Sequence, residues 1–319
     1  MLFDLASLTK PLVTTPLALT YLDLDRDLRD LPLLSGFRKQ AWPLTARHLL
    51  SHTAGLPPWL PYNGLPLAQQ LTAPLPWDQH PLLVKPVAER GQFPACYSDL
   101  GYRLLAEAVE AVSGESWAKL GRQLTGLLPA PWGETPIALP PGPDREAWLL
   151  AGNDVAFPES MPNLPHDANA RAGMIGHAGF AANAELLLPW LMAWRTTHAP
   201  RMTLPHARSV DGTVWGLGLW RVANGPGQFG DLLDRLPLDG TCRVIQHSGT
   251  EMPADVPNAP PTETNQSWWM HTGFTGPAIF FRPEDLSCIC LLAHRSGPAG
   301  ALLSLLEIHR RRYAVLTSL

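Results

Sequence analysis

The sequence predicts an α+β protein, and two stretches carry that prediction. Toward the C-terminus, Ser267–Thr272, Ala278–Arg282 and Leu286–His294 read as three strands, the last two joined by a tight turn at Pro283-Glu284-Asp285. Gly300–Tyr313 follows with Leu302, Leu303, Leu306 and Ile308 as the apolar face of a covering helix. Far upstream, Ser98–Val112 places Leu100, Leu104, Leu105, Ala108 and Val112 at helical spacing and is followed by Gly114, a helix-ending residue. Antiparallel strands covered by a helix form an α+β layer.

The remaining elements follow in chain order. Residues 8–22 read as a mostly apolar helix that begins near Ser7, because Pro11 suits a first turn, and that is kinked or weakened by Pro16. Asp23-Leu24-Asp25-Arg26-Asp27 resembles a calcium loop superficially but lacks the glycine and glutamate such a loop needs, so it reads as a polar turn. Thr45 caps a short helix to His52, ended by Gly55 and Pro57-Pro58. His48 and His52 are four apart, the spacing of helical metal ligands, yet without a third ligand they read as structural. Residues 129–180 are rich in Pro, Gly, Asn and Asp and read as loops, Ala184–Arg195 as a helix, and Trp215–Val222 as one alternating strand. The stretch 224–266 reads as a long surface insertion or a partly disordered one.

Composition limits the function classes. With 319 residues, 45% hydrophobic and 16% charged, the chain can bury a sizeable core as one domain. A net charge of -4 gives no basic footprint for nucleic acid, and the one sharp basic run, Arg310-Arg311-Arg312, reads as a solvated helix end. Cys96, Cys242, Cys288 and Cys290 lack framework spacing and are expected as free thiols. No apolar stretch approaches 18 residues and no export signal is visible, so the chain as given reads as cytoplasmic and without a membrane span. The 34 prolines and 12 tryptophans favour long ordered loops, and no internal repeat is found.

Ser7-Leu8-Thr9-Lys10 carries the most chemistry. A serine hydroxyl needs a neighbouring base to become a nucleophile, and a lysine three residues on shares its helical face. The stretch alone is weak evidence. Read with Tyr97-Ser98-Asp99 and His271-Thr272-Gly273-Phe274-Thr275-Gly276, it resembles the serine β-lactamase and penicillin-binding-protein superfamily, in the class C-like branch that includes D-alanyl-D-alanine carboxypeptidases and esterases. Residues 45–57, Tyr97–Tyr102, 166–170, 176–179 and Trp215-Gly216-Leu217-Gly218 also resemble that branch, so the likeness covers nearly the whole chain.

The resemblance implies a β-lactamase/transpeptidase-like fold: an antiparallel sheet flanked by helices, with an inserted helical lobe and the reaction at the boundary. As one catalytic domain, 1–319, it would place 1–44 plus 205–319 in the sheet lobe and 45–204 in the helical lobe. It implies Ser7 as the acylated nucleophile, Lys10 as the group that holds and shuttles its proton, and Tyr97 as the phenolate-like partner that protonates the leaving group. The backbone N–H groups of Ser7 and Phe274 would form the oxyanion hole, and Asp99, His271, Thr272 and Gly273 would bind substrate. A small ester, amide or peptide substrate is implied, and no cofactor.

Two departures bear on the substrate. His271 stands where lysine is common, replacing a permanent cation by a group that titrates near neutrality, or one that merely orients Tyr97. Asp99 stands where asparagine is common and would repel a carboxylate-bearing penicillin if it faced the site. Both favour an esterase-like enzyme, with a carboxypeptidase or weak β-lactamase next and a catalytically poor binding homologue third. His166, Asp167 and His177 read as hydrogen-bonded loop anchors rather than as metal ligands.

Members of this superfamily normally place two strands before the nucleophile, whereas six residues precede Ser7 here. The apolar run Leu286–Ala293 would then be an open sheet edge. A start assigned too late or a natural truncation is the favoured explanation, in which case an export signal could have been lost. A strand-completing partner or self-association is the alternative.

Overall fold

The computed structural model describes residues 1–39, 43–60, 62, 64–65, 94–132, 165–222, 229–236, 238, 240–247, 268–295 and 303–318. Strands β1 (Phe3–Asp4), β2 (Leu128–Pro129) and β3 (Phe180–Ala182) make a small antiparallel sheet in the order β1-β3-β2. The larger sheet contains β4 (Ala207–Arg208), β5 (Val214–Trp215), β6 (Trp220–Arg221), β7 (Cys242–His247), β8 (Trp269–Thr272), β9 (Ala278–Arg282) and β10 (Ser287–Ala293). Its order is β4-β5-β6-β8-β9-β10-β7, and only the β10–β7 pair is parallel.

β10 explains its own apolar sequence. Cys288, Cys290 and Leu292 face a core that includes Trp194 and Phe281. Ile289 and Leu291 face a second core with Phe280, Tyr313 and Leu316, so both faces of the strand are covered. Its predicted open edge is not open: β7, from within the stretch read as a surface insertion, pairs with it in register from Cys288↔Cys242 to Ala293↔His247. The unpaired backbone groups that motivated a strand-completing partner are thus occupied by the chain itself. The same stretch holds the short helix Phe229–Leu233, while 223–228 and 248–267, with the predicted strand start Ser267, lie outside the described residues.

The segment around Ser7 is less regular than the single predicted helix. Ala6–Leu8 is a 3-10 turn, Lys10–Thr14 a π-helical turn, and Thr15–Tyr21 α-helical. Pro16 accounts for the irregularity, since it offers no N–H to the carbonyls of Pro11 or Leu12. Two indoles replace it: Trp194 Nε1 donates to Pro11 O and Trp190 Nε1 to Leu12 O, each at 2.9 Å. Both tryptophans lie on the helix Ala184–Thr197.

The predicted helices at Thr45–His52 and Ser98–Val112 appear as Ala46–Leu50, capped by Thr45, and Asp99–Ser113, capped by Ser98 and ended by Gly114 at φ 74°. A helix at Trp117–Thr125 was not foreseen, although its Ser116 cap and the left-handed Gly126 were readable signals. Within the predicted loops 129–180, the described part contains β3 and the short helix Ala168–Arg171, and 133–164 lies outside the described residues.

Two further expectations are corrected. Trp215–Val222 is not one strand but the hairpin β5–β6, because Gly218 turns at φ +79° where a Cβ would lie 2.6 Å from both Thr15 Oγ1 and Tyr102 Oη. The last helix is Leu305–Thr317, started by a capping box between Ser304 and Glu307. Leu306 therefore falls on the exposed side, while Arg311 and Arg312 are buried rather than solvated. Gly300 and Leu302 lie outside the described residues. All four cysteines are unbridged, as expected.

Candidate active site

Ser7 sits on the 3-10 turn directly after β1. Ala6 takes a left-handed φ of 43°, and Asp4 Oδ1 fixes the turn by accepting from Ala6 N at 2.8 Å. The helical approach of Lys10 brings its Nζ within 3.0 Å of Ser7 Oγ. Lys10 is fully buried, and its Nζ also meets Asp99 Oδ1 at 2.7 Å and the carbonyl of His177 at 3.2 Å.

Tyr97 comes from the opposite side, on the residues that lead into the helix Asp99–Ser113. Its hydroxyl donates to Ser7 Oγ at 2.9 Å. His52 secures that approach: its Nδ1 accepts from Ser98 N at 3.0 Å, and its ring lies 4.9 Å from the Tyr97 ring. His48 instead bonds the Pro43 carbonyl at 3.0 Å.

The charges balance in an unusual way. Burial alone would lower the pKa of Lys10, but the adjacent Asp99 carboxylate, helped by Tyr97, raises it. Burial raises the pKa of Tyr97, and Asp99 adds to that against the opposing pull of Lys10. The favoured state is an ammonium beside a neutral phenol, not the phenolate that Lys10 alone would promote. Asp99 is not a free repelling charge, because Lys10 neutralises it.

His271 also departs from expectation. Burial, reinforced by Lys10 and His52, pushes it well below the ordinary histidine range, so it does not titrate near neutrality. Its Nδ1 donates to the Thr272 carbonyl at 2.9 Å rather than orienting Tyr97 through a hydrogen bond, and its ring centre lies 4.7 Å from that of Trp220 with the planes tilted by 55°.

β8 delivers Thr272 and the following turn to the same place. Gly273 N–H donates to Pro277 O at 2.8 Å, and a Cβ on Gly273 would stand 2.7 Å from Leu5 O, so only glycine lets this turn press against the segment before Ser7. Thr275 Oγ1 ties the two together by donating to Asp4 O at 2.8 Å. Ser7, Tyr97, Asp99, His271, Thr272 and Phe274 line a cleft of about 370 Å³. Trp59, His166, Asp167 and Trp220 complete the wall.

His166 and Asp167 anchor loops. His166 N and Nδ1 both meet Asp4 Oδ2 at 3.0 Å, and His177 Nε2 meets Asp167 Oδ1 at 2.8 Å. Although burial opposes it, His177 draws Asp167 down to about 2. Asp99, Asp167 and His177 bring possible ligand atoms within 4.8 Å of one another, but the Lys10 ammonium already supplies the cation there. Sequence reasoning missed Asp4 and His52 as supports. Asp4, three residues before Ser7, was the readable signal.

The family model described as Beta-lactamase matches residues 1–309. The chain belongs to the beta-lactamase family. Members of that family are serine hydrolases. Among solved structures, this beta-lactamase-family chain is similar to a class C beta-lactamase from Rhodobacter sphaeroides, with 19% identity, a TM-score of 0.56 and coverage of 99% of this chain and 85% of that one. It is also similar to EstCE1, a hydrolase with promiscuous acyltransferase activity, with 20% identity, a TM-score of 0.55 and coverage of 99% and 84%. Against the structure of SurE with D-Leu, at 22% identity and a TM-score of 0.49, 90% of this chain aligns but spans only 58% of that chain. The likenesses to the class C beta-lactamase and to EstCE1 show the beta-lactamase/transpeptidase-like fold. No curated protein matches the sequence. Among the described residues, no helix is long and apolar enough to cross a membrane.

Proposed function

We propose that the protein is a serine hydrolase that forms an acyl-enzyme on Ser7 and acts on an ester or small amide, with esters preferred. The observation that carries this reading is the convergence of Lys10 Nζ and Tyr97 Oη on Ser7 Oγ, at 3.0 and 2.9 Å, inside the cleft lined by Thr272 and Phe274.

Both groups donate to Ser7 Oγ in the resting arrangement, so attack requires the Lys10–Tyr97 pair to lose one proton. The pair then takes the Ser7 proton as Oγ bonds to the substrate carbonyl carbon. The resulting oxyanion faces the backbone N–H groups of Ser7 and Phe274. Collapse breaks the bond to the alkoxide or amine, which leaves with the proton from Tyr97. Water repeats the sequence on the acyl-enzyme and restores Ser7.

The cleft favours neutral substrates. Its carboxylates are engaged, Asp99 by Lys10 and Asp167 by His177, and among the described residues no lysine or arginine lines it. A substrate carboxylate, as in a penicillin or a D-alanyl peptide, meets no counter-ion on that wall, whereas Trp59, Trp220 and Phe274 offer apolar contact. The carboxypeptidase or weak β-lactamase reading uses the same residues and predicts turnover of those anionic substrates. The pairing of β7 with β10 speaks against the binding-homologue reading, which rests on an incomplete sheet.

The test is covalent labelling followed by turnover. A fluorophosphonate should add one adduct to Ser7, and p-nitrophenyl acetate or butyrate should be hydrolysed by the protein but not by Ser7→Ala. Folded protein whose mass is unchanged by the probe would sink the proposal, and release of D-alanine in place of ester turnover would favour the peptidase.

A further inference from the structure

We infer that Arg312 is a positioning residue that sets the orientation of the Gly273–Phe274 peptide, and so aims the Phe274 N–H at the oxyanion. This inference rests on the proposed role of Ser7.

Arg312 belongs to the basic run on the last helix, yet only 7% of it is exposed. Its guanidinium reaches the turn after β8, where Nε donates to Gly276 O at 2.8 Å and Nη2 to Gly273 O at 3.0 Å and Pro277 O at 3.2 Å. All three of these partners are backbone carbonyls. Among the described residues no carboxylate pairs with Arg312, and burying a guanidinium in that way is costly. Burial, and then the charge of Arg295, lower its pKa to about 9. The fold bears that cost at one place, the turn that carries Phe274.

The geometry of the peptide unit gives the contact its meaning. The Gly273 carbonyl and the Phe274 N–H belong to one planar unit, and in a trans peptide they point in opposite directions. A guanidinium that holds the carbonyl on the helix side turns the N–H away from that helix. Phe274 borders the cleft with Ser7 and Thr272. The cation also polarises the carbonyl to which it bonds, which makes the attached N–H a stronger donor.

Within the turn the Gly273 carbonyl has two donors, the Gly276 N–H and Arg312 Nη2. Gly273 N is held by Pro277 O, and Gly276 N donates to Gly273 O at 3.1 Å. Thr275 is tied to Asp4 O. Arg295 lies 4.5 Å from the centre of the Phe274 ring and steadies the side chain without touching the 273–274 carbonyl. Among these contacts, that from Arg312 is the one that draws the Gly273 carbonyl toward the last helix.

The experiment compares Arg312→Met and Arg312→Lys with the unaltered protein, using p-nitrophenyl butyrate turnover, fluorophosphonate labelling and thermal unfolding. For Arg312→Met, kcat should fall by about 10- to 100-fold, in the range of a weakened oxyanion donor, with KM changed much less. Arg312→Lys should fall in between, because one ammonium lacks the planar fork that spans several carbonyls. Added guanidinium at sub-denaturing concentration should restore part of the kcat of Arg312→Met and none of that of Ser7→Ala. A folded Arg312→Met with unchanged kcat, or with a loss confined to KM, overturns the inference while leaving Ser7 as nucleophile. If Arg312→Met does not fold, Arg312→Lys decides: an unchanged kcat overturns the inference and a selective kcat loss supports it. Failure of the unaltered protein to be labelled overturns the reading of Ser7 and this inference with it.

Discussion

Lys10 Nζ lies 2.7 Å from Asp99 Oδ1 while it also reaches Ser7 Oγ at 3.0 Å. One ammonium therefore serves both the nucleophile and the Asp99 carboxylate. Proximity makes Lys10 a candidate proton acceptor, yet Asp99 stabilises the form that cannot accept. The activity proposed above must then rise with pH, since the pair has to shed a proton before Ser7 can lose its own.

Asp99→Asn tests this balance. Lys10 faces Asp99, Tyr97 and Asp167, together with His52 and His271, of which burial pushes His52 down to about 3 and His271 well below its usual range. Removing the Asp99 charge destabilises the ammonium and eases ionisation of Tyr97, so both groups should lose protons more readily. The rising limb of kcat/KM against pH should move to lower pH. A shift to higher pH, or none, refutes the assignment.

Tyr97→Phe should preserve the ring contacts with His52 and Lys10 and remove only the hydroxyl that touches Ser7. Ester turnover should drop by roughly 10²- to 10⁴-fold, the usual worth of a positioned acid or base. The unfolding midpoint should change little. Turnover within a factor of three of the unaltered protein would exclude Tyr97 from proton transfer.

Trp190→Phe should cost about 1–3 kcal/mol, because it strands the buried Leu12 carbonyl that Pro16 cannot serve. In a Pro16→Ala background residue 16 regains an N–H, and the same substitution should cost less. Denaturant titration of the four proteins gives the coupling, and an equal penalty in both backgrounds would show that the indole bond does not compensate for the proline.

The Asp167–His177 pair should show itself at acid pH. Asp167 falls from 3.8 unfolded to about 2 folded, so its contribution is fully present above about pH 4 and fades as pH drops through 2. Asp167→Asn should lower the unfolding midpoint at pH 6, with the difference narrowing below pH 4. A difference that persists undiminished at pH 2 would contradict the pairing of the Asp167 carboxylate with His177.

Much of this was legible locally. Pro11 marks the start of the helical turn that follows Ser7, three-residue spacing brings Lys10 to the same side, and Ser98 with Gly114 bounds the helix behind Tyr97. The apolar runs and turn residues of 278–293 give β9 and β10. Such features depend on backbone sterics and neighbours a few residues away, and the order of the motifs then implies the family.

Tertiary structure decided the rest, because the partners involved are distant in sequence and leave no local period. Cys242–His247 shows no pattern that names β10 as its neighbour, yet that pairing closes the sheet. The indoles that serve Pro11 and Leu12 come from more than 170 residues away. Arg312 looks like a solvated charge until helix packing drives it onto three carbonyls beside the cleft. The sequence by itself determined which groups can do the chemistry, whereas burial and long-range packing decided their charge states and the direction in which each one points.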